Sequence, residues 1–126
     1  MSRDSALRHR LLSFVHAGRG IATMIRSEPH AKFHVFAAVV VVVAGIRFGI
    51  GRGEWLALAL AIGLVLCAEA FNTAFEALCD VVSPERHPEI GRAKDVAAGA
   101  VLLSALAALA VGAGVFGRRI LSLFGP

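Results

Sequence analysis

The stretch Trp55–Val82, WLALALAIGLVLCAEAFNTAFEALCDVV, decides how the chain folds. It is long enough to cross a bilayer, which takes about 20 helical residues at about 1.5 Å each. Its second half carries Glu69, Asn72, Glu76 and Asp80. At about 100° per residue, Asn72 lies about 300°, Glu76 about 340° and Asp80 about 20° around the axis from Glu69. The four polar groups therefore share a face about 80° wide, spread over about 16 Å of helix. An ionisable group at bilayer depth costs on the order of 2.5–3.5 kcal/mol, less toward the interface. Three acids on one face thus point to chemistry, with Glu69 and Glu76 ahead of Asp80. The alternative is a structural network between helices, with Asp80 merely interfacial.

Working outward, Phe33–Ile50 and Val96–Gly117 are also long and apolar, and the latter is free of charge. The run Val39–Val43 would favour a strand in water, but lipid obliges a spanning segment to satisfy its backbone as a helix. Gly49, Gly51 and Gly53 mark a short turn between the first two spans. Ser83, Pro84 and Pro88 mark a polar loop that ends at Gly91 and leads into the third. Before the first span, Leu7, Leu11, Phe14, Val15, Ile21, Ala22 and Ile25 form an apolar stripe opposite Arg8, Arg19 and Arg26. That pattern predicts a basic amphipathic helix in the membrane interface. No apolar h-region precedes Phe33, so this stretch does not read as a signal peptide.

Composition agrees. The 126 residues are 57% hydrophobic and 17% charged, with a mean hydropathy of +0.73; a soluble domain carries about a quarter charged residues. Low polarity and only two cysteines exclude a disordered chain and a disulfide scaffold. The net charge of +4 suits anionic lipid or phosphate better than nucleic acid. The expected fold is an all-α membrane protein of one domain, 1–126, with a surface helix over about 5–27 and transmembrane helices over about 31–50, 54–82 and 93–118. Arg3, Arg8, Arg10, Arg19, Arg26, Lys32, Arg86, Arg92 and Lys94 fall on one side, and Arg47, Arg52, Arg118 and Arg119 on the other. The positive-inside rule then puts the N-terminus and the Ser83–Lys94 loop in the cytoplasm and the C-terminus outside.

Glu28, Glu85, His87, Arg92, Lys94 and Asp95 gather on that cytoplasmic side. Carboxylates beside Lys and Arg suit a hydrated Mg²⁺ with a polyphosphate, because magnesium takes one or two carboxylates plus substrate phosphates. Other patterns carry less. Gly112–Gly117 matches GxGxxG but follows no strand, so its small residues read as helix contacts. His30 and His34 have zinc-pair spacing without a third ligand and read as interfacial hydrogen-bonding groups. Cys67 and Cys79 lie about 18 Å apart on one helix and cannot bridge. Trp55 reads as an interfacial anchor.

The order Glu69-Ala-Phe-Asn72-Thr-Ala-Phe-Glu76-Ala-Leu-Cys-Asp80, then Arg92-Ala-Lys94-Asp95, resembles the prokaryotic diacylglycerol kinase family, which includes undecaprenol kinases. The resemblance covers about 13–117. It implies a homotrimeric bundle, each subunit having a surface helix and three spans, that transfers the γ-phosphoryl group of ATP to a lipid hydroxyl. It further implies Glu69 as general base, Asn72 as orienting group, and Glu28 and Glu76 as holders of the Mg²⁺ of Mg-ATP. Glu85, Arg86, His87, Lys94 and Asp95 would be nucleotide contacts. Ser27–His34, Ser83–Pro88 and Glu54-Trp55 look more like the undecaprenol branch, although His30, Lys32 and His16 stand where the pattern has Asn, Arg and Tyr. The resemblance implies a multi-pass protein of the bacterial inner membrane. Diacylglycerol remains the alternative substrate, and a small proton-coupled multidrug transporter the alternative of another class.

Overall fold

The computed structural model describes residues 3–85 and 87–125, and side chains from Arg8 onward. Four helices follow in order: α1 (Arg3–Ser27), α2 (Pro29–Phe48), α3 (Arg52–Val82) and α4 (Pro88–Leu121). The last three are long and apolar enough to cross a membrane. Their flanks carry Phe36, Val43, Leu60, Leu103 and Leu109 exposed, a surface that water would not tolerate at this extent.

Each connection has a local cause. Pro29 disfavours helical geometry in the residue before it, and Glu28 is extended at φ −102° and ψ 118°. Backbone bonding nevertheless continues across the joint: the Glu28 amide donates to the Met24 carbonyl at 3.0 Å, and the Lys32 amide donates to the Glu28 carbonyl at 3.2 Å. The α2 terminus closes on Gly49, which adopts the left-handed conformation at φ 60°. The Ile50 amide reaches the Gly45 carbonyl and the Gly49 amide the Ile46 carbonyl, both at 3.2 Å. That is the paired closure of a Schellman motif, which glycine permits without a Cβ penalty. The run Val39–Val43 lies inside α2 as helix.

Two expectations are corrected here. Gly53 sits in the first turn of α3 and is not part of the connection. Likewise α4 begins at Pro88, so residues 88–92, read as loop, are helical. Proline at the first helical position forfeits no intrahelical bond, and His87 Nδ1 accepts from the Glu89 amide at 3.3 Å, capping the helix start. Arg86 lies outside the described residues.

α3 and α4 form the most extensive helix pair, an antiparallel hairpin. At one end Arg119 donates to both oxygens of Glu54, Nη1 to Oε1 at 2.7 Å and Nη2 to Oε2 at 2.9 Å. At the other, Lys94 Nζ donates to Asp80 Oδ1. The two pairs are 26 positions apart on α3 and 25 apart on α4, so the helices run in step. With 31 and 34 residues, α3 and α4 are about 46 and 51 Å long, against a hydrocarbon layer of about 30 Å. Their shared excess lies toward Asp80 and Lys94, because apolar residues continue from the Glu54–Arg119 end. α2, at 20 residues, matches the layer at about 30 Å.

The core sits at the Glu54–Arg119 end. Ile50, Leu58, Val115 and Phe116 are buried together, with Phe48 and Trp55 against them. The rings of Phe48 and Phe116 are 6.1 Å apart, centre to centre. Gly45 is required there by close approach: a Cβ at this position would lie 2.7 Å from the Trp55 ring. Gly45→Ala is expected to destabilise the folded chain by about 1–3 kcal/mol through overpacking, lowering its melting temperature in detergent. Adding Trp55→Leu should recover part of that loss, and an unchanged melting temperature for Gly45→Ala alone would refute the close contact.

Candidate active site

The polar face of α3 is graded by depth. Taking Trp55 as one boundary, Glu69 lies about 21 Å along the axis, Glu76 about 32 Å and Asp80 about 38 Å. A layer of about 30 Å therefore contains Glu69, reaches its limit near Glu76 and leaves Asp80 outside.

Glu69 is 2% exposed. Its neighbour across the helix interface is His34 of α2, whose Nε2 stands 3.2 Å from Glu69 Oε1. The two are within ion-pair distance but out of hydrogen-bond alignment, and Oε1 has no hydrogen-bond partner. The Phe33 ring meets the His34 imidazole edge-on at 5.6 Å. One turn further along, Asn72 Oδ1 and Thr73 Oγ1 are also buried without partners. An unsatisfied buried polar group costs about 1–3 kcal/mol. The three lie at i, i+3 and i+4, on one face of α3.

Toward the boundary the groups find partners. Asn72 Nδ2 donates to Glu76 Oε1 at 3.3 Å, and Lys94 Nζ donates to Asp80 Oδ1. Glu28 is half-buried at the α1–α2 joint, and Asp95 is exposed on α4. A cavity of about 410 Å³ at the α3–α4 turn gathers Asp80, Glu85, His87 and Lys94. The N-terminal residues Pro88, Ile90 and Gly91 of α4 line it as well, so the positive end of a helix dipole faces that space. Among the described residues, no three His, Cys, Asp or Glu side chains converge as a metal cage. Glu28 and Glu76 offer hard carboxylate oxygens, a donor type that suits magnesium shared with phosphates.

A second cavity, of about 660 Å³, is an apolar groove between α2, α3 and α4. It runs from Phe33 and His34 at one end to Phe48, Phe116 and Ile120 at the other. The fifteen residues separating Phe33 from Phe48 give it a length of about 22 Å. His34 thus borders both the groove and Glu69.

The structure therefore joins Asn72 to Glu76 and collects Glu85, His87 and Lys94 around one cavity. Two groups were not singled out as site residues from sequence. From sequence His34 reads as an interfacial hydrogen-bonding group, and its approach to Glu69 crosses helices, which spacing along one helix cannot reveal. Thr73 was readable, since position i+4 lies about 40° from Glu69, but a threonine in an apolar span carries no charge to mark it.

These features define an integral membrane protein with an acid face graded from hydrocarbon to water and no nucleotide-binding loop of the GxxxxGK type. A family model described as prokaryotic diacylglycerol kinase matches residues 15–116. The chain is 39% identical over 104 residues to an undecaprenol kinase from Bacillus subtilis (strain 168), covering 82% of this chain and 85% of that protein. It is 35% identical over 114 residues to a diacylglycerol kinase from Synechocystis, covering 90% of this chain and 65% of the relative. A diacylglycerol kinase from Haemophilus influenzae is 25% identical over 104 residues, 82% of this chain and 88% of that protein. The chain belongs to the prokaryotic diacylglycerol kinase family and is a membrane lipid kinase.

Because the Thr73 hydroxyl has no partner within the chain, Thr73→Val should leave the melting temperature unchanged or raise it. Lipid phosphorylation should fall by up to about tenfold if the hydroxyl serves a substrate. A lower melting temperature with full activity would make Thr73 structural.

Proposed function

We propose that this kinase transfers the γ-phosphoryl group of ATP to the hydroxyl of a long-chain polyprenol such as undecaprenol. The observation that carries the reading is the buried Glu69 carboxylate, linked through His34 to an apolar groove that extends along the membrane-spanning helices. A single continuous groove suits one long chain with its hydroxyl at the Glu69 end. The 39% identity to an undecaprenol kinase favours the same substrate. Diacylglycerol is the second reading, supported by the two relatives of that name.

In this reading Glu69 accepts the proton as the lipid O–H bond breaks. The alkoxide oxygen forms the bond to the γ-phosphorus, and the bond to the bridging oxygen breaks to release ADP. Asn72 orients the site next to Glu76. Glu28 and Glu76 hold Mg²⁺, which when bound neutralises phosphate charge. Lys94, Asp95, Glu85 and His87 contact the nucleotide, with Lys94 a point charge on phosphate oxygens; Arg86 is assigned the same role. Phosphoryl transfer rests mainly on positioning and charge stabilisation, so this division of labour is sufficient without a Walker loop.

The same proposal includes a homotrimer, in which a neighbouring subunit supplies part of each site. It places α1 in the membrane interface, because Leu11, Phe14, Val15 and Ile21 are exposed on a helix that also carries five arginines. The N-terminus and site face the cytoplasm of a bacterial inner membrane, by the distribution of Lys and Arg.

The test offers undecaprenol and diacylglycerol in parallel to the purified protein in mixed micelles with radiolabelled ATP. Preferential labelling of undecaprenol is expected; preference for diacylglycerol would overturn the substrate assignment while leaving the chemistry. Glu69→Gln should reduce kcat by about 10²–10⁴-fold while Mg-ATP still binds. Glu76→Gln should raise the Mg²⁺ concentration needed for half-maximal activity, and an unchanged Mg²⁺ dependence would remove Glu76 from metal binding.

A further inference from the structure

We propose that His34 is a positioning residue for Glu69, holding one carboxylate oxygen so that the other faces the lipid hydroxyl. This rests on the reading of Glu69 as the base.

The Glu69 carboxylate is 2% exposed and lies on the part of α3 that crosses hydrocarbon. α4 carries no titratable side chain from Val96 to Gly117. On α3, the nearby polar groups of the same face are Asn72 and Thr73, whose Oδ1 and Oγ1 are themselves without partners. Among the described residues, the group within ion-pair distance is His34 Nε2, at 3.2 Å from Oε1. A base that is otherwise free to rotate about its side-chain torsions acquires a defined orientation when a third group holds it, as in other catalytic pairs. A displacement of about 1 Å at such a group costs up to about a hundredfold in rate.

His34 stands between a neighbouring ring and the groove. Its ring meets that of Phe33 edge-on at 5.6 Å, and its side chain retains 18% exposure where it borders the apolar groove. Its level also matches: His34 lies about 9 Å into α2 from Glu28, and Glu69 lies about 10 Å below Glu76 on α3. The imidazole therefore stands where the chain of a lipid in the groove would end and its hydroxyl would meet the carboxylate. The out-of-line contact between Nε2 and Oε1 would become a hydrogen bond once substrate fixes the carboxylate, since catalytic hydrogen bonds are often misaligned before substrate arrives.

The experiment compares His34→Leu, which removes the nitrogen, with His34→Gln, which keeps an amide donor at similar reach. Each is assayed in full-length protein with undecaprenol and with diacylglycerol. For His34→Leu, kcat should fall about a hundredfold with the lipid that the wild type uses, with KM for ATP and the melting temperature unchanged. His34→Gln should restore part of that loss. A readout independent of turnover is the nitrogen NMR signal of ¹⁵N-histidine-labelled protein, where the His34 Nε2 resonance should move in Glu69→Gln. Equal impairment of both variants with a lowered melting temperature would make His34 a packing residue. Wild-type kcat in His34→Leu, with Glu69→Gln inactive, would overturn the positioning role alone. Activity retained in Glu69→Gln would instead overturn the base assignment beneath it.

Discussion

The register between α3 and α4 is the constraint on which the rest of the molecule depends. Glu54 with Arg119 at one end and Asp80 with Lys94 at the other fix that register over nearly the full length of the hairpin. Paired charges of this kind contribute little net stability when exposed, and their attested use is to specify alignment. Between them Leu58, Val65, Val115 and Phe116 are buried, as are Glu69 and Ser104, and apolar side chains alone tolerate sliding. A slip of one residue would turn the acid face of α3 by about 100° relative to α4 and separate Lys94 from Asp80.

The acid face was legible because charge in an apolar span is conspicuous and helical angles are simple. Glu69, Asn72, Glu76 and Asp80 fall on one stripe by arithmetic, and the structure keeps them in one helix. The helical state of Val39–Val43 was legible for a different reason, since lipid overrides strand preference. What crosses between helices was not legible. Nothing in the spacing of His34 or Glu69 announces that they meet, and nothing in Lys94 announces Asp80. The start of α4 was misjudged because proline and charge look like loop, although proline at the first helical turn and a capping imidazole together begin a helix.

The depth gradient along α3 separates two kinds of chemistry. Groups able to interact with a charged, water-soluble molecule lie at or beyond the limit of the hydrocarbon, around the cavity that includes Lys94 and the start of α4. The carboxylate suited to an apolar alcohol lies deeper, beside the groove. Asn72 and Glu76, hydrogen-bonded to one another, occupy the level between. A membrane lipid kinase must bring reactants from two phases together, and in the proposed reading a single helix serves both.

The mismatch between the α3–α4 hairpin and the membrane has a consequence for the lipid surroundings. With the Glu54–Arg119 pair set at the far face, the near boundary is measured along α3 from there. A bilayer thicker by about 3 Å moves that boundary about two residues along α3, toward Asp80. Glu69 stays inside hydrocarbon through such a change, whereas Glu76 passes from wet to dry. The thickness of the host membrane therefore acts as a variable of the site, setting how much water the outer carboxylate sees without altering one contact within the protein.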